Sequence, residues 1–297
     1  VKIIACIDLD YFYAQCEEVL NPDLKNKPVV VCMYSGRGKE GGAVATCNYV
    51  ARKYGVKSGI AITRAKQLLK NVEAYFIPAR LELYDQISQR VMEIVKKYAD
   101  TLEIVSVDEA FLDITSRSEE DFNKAENLMR RMKEEIYERE KLTCSVGISF
   151  SRVIAKIASG LNKPNGLVVI APEDLESKIW PLAVEEIPGI GPRTKEILNK
   201  LGILTIGDLA KANIMTLIQI FGRKSATYLK LAAEGKDKEE PRESEESKQY
   251  SRMATLKENT LSLRDILPYI EELCKDISLT LKQNGKLAKG VGLTAIL

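Results

Sequence analysis

The stretch Ser106-Val107-Asp108-Glu109-Ala110 constrains this chain more than any other, because two adjacent carboxylates stand inside the apolar, β-prone run from Ile104 to Ile114. Ionised carboxylates resist burial without a partner. Two side by side repel and raise each other's pKa unless a cation is present. The run therefore admits two solutions. The pair can sit in a strand-end turn with both side chains in water, as surface acids usually do, or it can hold a divalent cation with more carboxylate drawn from elsewhere. Successive strand residues point to opposite faces, so Asp108 and Glu109 reach one site only where the backbone turns or bulges.

The first ten residues can supply that carboxylate. Residues 2–7 form a buried-type strand that ends in Asp8-Leu9-Asp10-Tyr11-Phe12-Tyr13, with a helix from Phe12 to Val19. Capping that helix explains one of the two acids, not both. The chain has no histidine, which excludes Ser-His-Asp and Cys-His catalysis, His-ligated zinc and imidazole acid–base work. An enzyme of this composition works with carboxylates, Lys, Arg, Tyr and a hard metal held through oxygen. Its six cysteines are scattered without a C-x-x-C pair and read as reduced, buried, small hydrophobes of a cytoplasmic protein. No apolar run reaches membrane-span length, and no signal peptide opens the sequence. Net charge is only +2, so any basic surface is local. The abundant Lys and Glu suit a heat-stable protein.

At 297 residues the chain exceeds one core, and two or more domains are expected. Up to residue 170 the pattern is βαββαβ-like with an α/β insertion from about 11 to 76, which an antiparallel sheet with helices on one face accommodates. The glycine-rich loop 35–42 lacks the Gly-Lys-Ser/Thr of a Walker A. After it, Tyr49 and Arg52 lie three apart on one helix face, suited to a phosphate or to plain solvation. Ile187-Pro188-Gly189-Ile190-Gly191-Pro192-Arg193-Thr194 looks like a helix-hairpin-helix turn, whose glycine N–H groups bind a phosphate without reading a base. Ile220-Phe221-Gly222-Arg223-Lys224-Ser225 is a weaker relative. Residues 171–235 then read as a small helical DNA-grasping domain. Residues 236–248 carry almost no apolar side chain and read as a tether. From 249 a β-α-β pattern resumes: a strand to Leu256, a helix Leu263 to Gln283, and a strand Val291 to Leu297.

Asp8-x-Asp-Tyr-Phe-Tyr, Ala45-Thr46-x-x-Tyr49-x-x-Arg52, Ser-Val-Asp108-Glu109-Ala, Lys163-Pro-Asn-Gly and the helix-hairpin-helix occur in this order. Together they resemble a Y-family translesion DNA polymerase of the DinB (DNA polymerase IV) type, archaeal-like, over essentially the whole chain. The resemblance implies an α+β multidomain protein. Its parts would be a ferredoxin-like palm (1–10 and 77–170), small α/β fingers (11–76), a helical helix-hairpin-helix thumb (171–235), a linker (236–248) and an incomplete split βαβ little finger (249–297). It implies two Mg²⁺ per active site, with Mn²⁺ as an alternative, on Asp8, Asp108, Glu109 and the Leu9 carbonyl. Tyr11, Phe12, Tyr13, Thr46, Tyr49, Arg52 and Lys163 would bind the nucleotide, with Tyr13 as steric gate. Met33, Ala43, Ala45 and Gly59 would roof the nascent base pair. Gly189, Gly191, Arg193, Thr194, Arg223 and Lys224 would hold DNA. The implied partners are primer-template DNA, dNTPs and a sliding clamp reached through a segment beyond residue 297, with the polymerase a monomer.

A roof of Ala, Gly and flexible Met presses weakly on base-pair shape, so the expectation is low fidelity, with no proofreading exonuclease. Two features depart from the family. Leu9 stands where Phe is common, which leaves a backbone ligand unchanged. The tether is rich in Glu where related linkers are often basic, which disfavours DNA contact there. Two rival readings remain beside the polymerase: a nucleotidyl cyclase, which shares a palm-like core with paired carboxylates, and a non-catalytic DNA-binding scaffold. The expected Tyr13 gate opposes the first, since cyclases accept a ribose 2′-OH. The intact acids oppose the second.

Overall fold

The computed structural model describes residues 1–35, 41–237, 239–243 and 249–295. The middle of the glycine-rich loop (36–40), tether residues 238 and 244–248, and the last two positions of the expected final strand lie outside the described residues. In chain order the elements are β1 (Ile4–Leu9), α1 (Phe12–Leu20), β2 (Val29–Tyr34), β3 (Gly42–Cys47), α2 (Tyr49–Arg52), α3 (Ile62–Leu68) and β4 (Tyr75–Pro78). They continue with α4 (Leu81–Lys96), β5 (Thr101–Ile104), β6 (Glu109–Asp113), α5 (Phe122–Glu140), β7 (Cys144–Ser149), α6 (Arg152–Leu161) and β8 (Leu167–Ile170). The helices α7 (Pro192–Lys200), α8 (Ile206–Lys211), α9 (Ile214–Ala233) and α10 (Leu263–Gln283) follow. Two compact units result: Val1–Asp23 with Arg80–Ser244, and Leu24–Ala79 with Glu245–Leu297.

The first unit is built on a five-stranded sheet in the order β5-β6-β1-β7-β8. The near-continuous apolar run of β1 places it centrally, antiparallel to β6 and β7. Strand β8 is parallel to β7, so the chain must cross over between them, and α6 is the crossover. Alternation sends Ile4, Cys6 and Asp8 to one face and Ala5, Ile7 and Leu9 to the other. Ile4, Cys6 and Phe111 pack on Ala155 of α6. Gly147, opposite Cys6 in the ladder, lets the helix come so close that a Cβ there would lie 2.1 Å from the Ala155 carbonyl oxygen. Helices α4 and α5 pack against each other, and α6 packs on the face that carries Cys6.

Helix α6 is apolar on two sides. Val153, Ile154, Ile157 and Ala158 belong to one core with Ile187, Ile190, Leu198, Leu209 and Leu229. The helical region after 171 thus shares its core with α6 and does not close on itself. Helix α1 belongs to the same unit as the five-stranded sheet. Buried Glu17 of α1 accepts hydrogen bonds from Arg80 Nε (2.9 Å) and Tyr84 Oη (2.5 Å). The described start of the tether lies on this unit too. Asp237 accepts from Ser151 Oγ and from the Val153 N–H (3.3 Å) at the start of α6. Glu240 pairs with Lys2, and the Arg242 N–H donates to Glu103 Oε2 (3.1 Å).

The second unit contains a three-stranded sheet, β3-β2-β4, with β2 antiparallel to β3 and parallel to β4. Val30, Cys32, Val44, Cys47, Ile62 and Leu69 form its core. Of the expected C-terminal β-α-β pattern, the described residues show only the helix, α10. A strand exists only where a ladder partner exists, and 249–262 and 284–295 pair with none among the described residues. Leu263, Leu267 and Leu279 of α10 are exposed accordingly.

Candidate active site

Asp8 lies directly opposite Glu109 across one ladder of β1 and opposite Ser145 across the other. Opposed residues of antiparallel strands share a face, so Asp8 and Glu109 stand side by side on the α6 face. Asp108 sits in the connection between β5 and β6, before β6 begins, and so escapes the alternation that would turn it away. The N–H groups of Val105 and Ser106 both reach the Glu109 carbonyl (3.0 and 3.2 Å), closing a bulged turn. The Asp108 carbonyl accepts the Leu9 N–H (2.8 Å), which pins this turn to the end of β1. Ser106 Oγ donates to Asp108 Oδ1 (2.6 Å), and Ser88 Oγ of α4 braces the Val107 carbonyl (2.6 Å). The backbone turn that two adjacent acids demand is present.

Asp8 is raised above the ordinary carboxylate range, first by burial and further by the charge of Asp108. The hydrogen bond and charge of Lys163, and the charge of Lys156, oppose that rise. Each carboxylate has its own partner: Lys163 on Asp8, Lys156 on Glu109, Ser106 on Asp108. Among the described residues no three Asp, Glu or Cys side chains converge as an ion-binding cluster. The donor set is all oxygen, the chemistry of a hard divalent cation. Two ammonium groups supply the counter-charge such a cation would bring. Beneath the acids the Cys6 thiol is pushed up to about 12 by burial, with Glu109 adding to the rise, so it is inert.

Asp10, the second acid of the opening motif, neither caps α1 nor joins the others. It is fully buried and accepts from Ser145 Oγ (2.7 Å), Thr143 Oγ1 (2.8 Å) and the Asn165 N–H (2.8 Å). The N-cap of α1 is Tyr11, in the left-handed region at φ 36°, with no side-chain cap. Asp10 thereby holds the turn that carries Lys163. Phe12 is buried, so its backbone alone can meet a ligand. The Tyr13 ring stacks on the buried Tyr84, and Tyr11 Oη donates to Glu18 (3.0 Å).

In the second unit, Arg52 lies 4.7 Å above the Tyr49 ring and its Nε donates to the Cys47 carbonyl (3.1 Å). Asn48 fixes that strand–helix corner, accepting from the N–H groups of Ala51 (2.9 Å) and Val29 (3.1 Å). The β2–β3 register slips between Val31 and Cys32, leaving Ala45 as the extra residue. Met33 pairs with Ala43 and Val31 with Thr46, away from the Cys32–Val44 core face. Gly59 adopts φ +84° and donates to the Val44 carbonyl (2.8 Å).

In the helical region Gly189 turns at φ +91°, and Gly191 caps α7, whose first turn contains Arg193 and Thr194. Tyr228 Oη donates to the Pro188 carbonyl (2.7 Å) and holds that turn. Helix α9 breaks at Gly222 (φ 76°, ψ 160°), so the exposed Arg223 and Lys224 open a new helical segment.

Sequence reasoning missed Lys156, Tyr84 and the part played by Asp10. Lys156 did leave a signal: it is the only charge in the apolar stretch 153–158.

A family model described as the impB/mucB/samB family matches residues 7–160, and one described as the IMS family HHH motif matches 172–203. The chain is 43% identical over 296 residues to DNA polymerase IV of Nitrosopumilus maritimus (strain SCM1), covering 99% of this chain and 81% of that relative. The solved Y-family DNA polymerase chimera Dbh-Dpo4(243-245)-Dbh superimposes with a TM-score of 0.88 at 42% identity, covering 93% of this chain and 80% of the other. An insertion ternary complex of Dbh DNA polymerase superimposes with a TM-score of 0.78 at 42% identity, covering 94% and 80%.

Proposed function

The chain belongs to the impB/mucB/samB family, the Y-family of DNA polymerases, and from that premise we propose that it extends a primer by template-directed nucleotidyl transfer and copies past damaged template bases. The observation that carries this reading is the register that sets Asp8 beside Glu109, with the Asp108 turn pinned to Leu9. Y-family polymerases use divalent metal ions. Here Asp8, Asp108, Glu109 and the Leu9 carbonyl would hold two of them, Mg²⁺ or Mn²⁺, which when bound lower the pKa of the primer 3′-hydroxyl and neutralise charge on the transferring phosphoryl group.

This chain's own groups do the rest. The N–H groups of the first turn of α1, from Tyr11 to Tyr13, face the chain's exit from β1 and suit a phosphate. Lys163 adds a cation on a turn fixed by Asp10. Tyr13, backed by Tyr84, gives a rigid surface against which a ribose 2′-OH would clash. In the fingers, Tyr49, Arg52 and Thr46 present a phenol, a guanidinium and a hydroxyl from one strand–helix corner, a set suited to phosphate. Met33, Ala43, Ala45 and Gly59 are a small, compliant surface that would tolerate a distorted base pair. Gly189, Gly191, Arg193, Thr194, Arg223 and Lys224 would grip the DNA backbone without reading sequence. A nucleotidyl cyclase is disfavoured, because the relatives of this chain and the structures that superimpose on it are DNA polymerases.

Primer extension with each dNTP, with and without Mg²⁺, tests the proposal. Asp108→Ala and Glu109→Ala should each abolish extension while binding primer-template DNA as the parent does. Metal-independent extension, or extension surviving both substitutions, would refute the site.

A further inference from the structure

We infer that Lys156 is a positioning residue of this site: its ammonium group fixes Glu109 and is the resident counter-charge that a divalent cation must displace. Glu109 has Asp8 across the ladder and Asp108 beside it in sequence, both of its own sign. Lys156 is the cation that answers it. The helix beneath cannot yield. Ala155 is packed on Ile4, Cys6 and Phe111, while Ile154, Ile157 and Ala158 are locked into the core shared with the helical region. Lys156 therefore delivers its Nζ from a rigid base between two packed surfaces. The pair is part-buried, with side-chain exposure of 31% for Lys156 and 16% for Glu109, so solvent and salt screen it less than a fully exposed pair. Lys163 differs: it sits on a turn beyond α6, against Asp8.

The inference rests on reading Asp8, Asp108 and Glu109 as metal ligands, so the experiment must separate the two. Mn²⁺ is titrated into the full chain without DNA, and free Mn²⁺ is read by electron paramagnetic resonance. The proteins are the parent, Lys156→Met, Lys156→Gln, Lys156→Arg and Glu109→Gln, each checked for folding by far-ultraviolet circular dichroism.

A cation that no longer competes with an ammonium group binds more tightly. Folded Lys156→Met, or Lys156→Gln if the former does not fold, should bind Mn²⁺ at least about threefold more tightly than the parent. Lys156→Arg, which keeps the charge, should restore parental affinity. Unchanged or weaker Mn²⁺ binding in both neutral variants would overturn the role of Lys156 while leaving the metal site standing. A parent that binds no Mn²⁺, or Glu109→Gln binding it as tightly as the parent, would instead remove the metal-ligand reading and this inference with it.

Discussion

Tyr13 stacks on Tyr84, with ring centroids 4.4 Å apart and planes 17° from parallel. Tyr84 is itself fully buried and donates to Glu17, which also holds Arg80. The expected gate residue thus has an aromatic brace, and the brace has an anchor. Tyr13→Ala should raise the ratio of ribonucleotide to deoxynucleotide kcat/KM by at least about tenfold. Tyr84→Ala should relax sugar selectivity part of the way. Tyr84→Phe keeps the stack and loses the hydrogen bond, so it should leave selectivity intact and cost about 1–2 kcal/mol of stability. Paired single-nucleotide incorporation and urea unfolding separate these outcomes. Unrelaxed selectivity in Tyr13→Ala would remove the gate.

Asp10 accepts three hydrogen bonds in a site with no exposed surface. Replacing it with Ala strands the hydroxyls of Ser145 and Thr143 and the Asn165 N–H, and leaving buried donors unmade costs on the order of 3 kcal/mol in sum. Asn is no remedy, since its amide nitrogen would face donors. Both variants should lower the melting midpoint and, by loosening the turn that carries Lys163, raise KM for dNTP more than they lower kcat. A kcat loss with KM unchanged would show that Asp10 does not act through that turn.

The acids and glycines were legible in the sequence because they act locally. Asp108 and Glu109 declare themselves by standing in an apolar run, and Gly189 and Gly191 by shaping their own backbone. Lys156 and Tyr84 act through partners 47 and 67 residues away, which no local spacing reveals. Asp10 offered itself from the sequence as a cap for α1 beside a ligand at Asp8, since sequence records two acids but not which face each reaches. The acidic tether hides contacts for a similar reason. Its charge suggests solvated chain, yet Asp237 and Glu240 answer groups at the start of α6 and at Lys2.

That tether contact has a pH signature. Glu103 holds Arg152 in a two-pronged ion pair, takes the Arg242 N–H, and lies below the ordinary glutamate value of 4.5 chiefly through the Arg152 hydrogen bond. A lowered native pKa means that the contribution is full at neutral pH and is lost as pH falls below 4.5 through the native pKa. Glu103→Gln should therefore cost about 1–2 kcal/mol at pH 7, and the difference from the parent should shrink as the medium is acidified. It should also speed proteolytic nicking between 237 and 243, as should Asp237→Ala. A stability gap that persists unchanged in acid, or unaltered nicking, would dissociate Glu103 from the tether.

The thumb turn offers a test of DNA gripping that leaves the catalytic acids untouched. Gly189 sits at φ +91°, and a Cβ there would meet nothing closer than the Tyr228 ring at 3.8 Å. Gly189→Ala therefore suffers backbone strain, about 1 kcal/mol, without a clash, and it disturbs the N–H groups leading into α7. Arg193→Ala and Lys224→Ala instead remove exposed cations and leave the turn alone. If these groups bind phosphate, affinity for primer-template DNA should fall in all three variants. Each lost cation should also flatten the slope of log affinity against log salt by about 1, whereas Gly189→Ala should weaken binding with less change in slope. Fluorescence anisotropy across a salt series measures both. Parental slopes in Arg193→Ala and Lys224→Ala would place the phosphate contacts elsewhere on the protein.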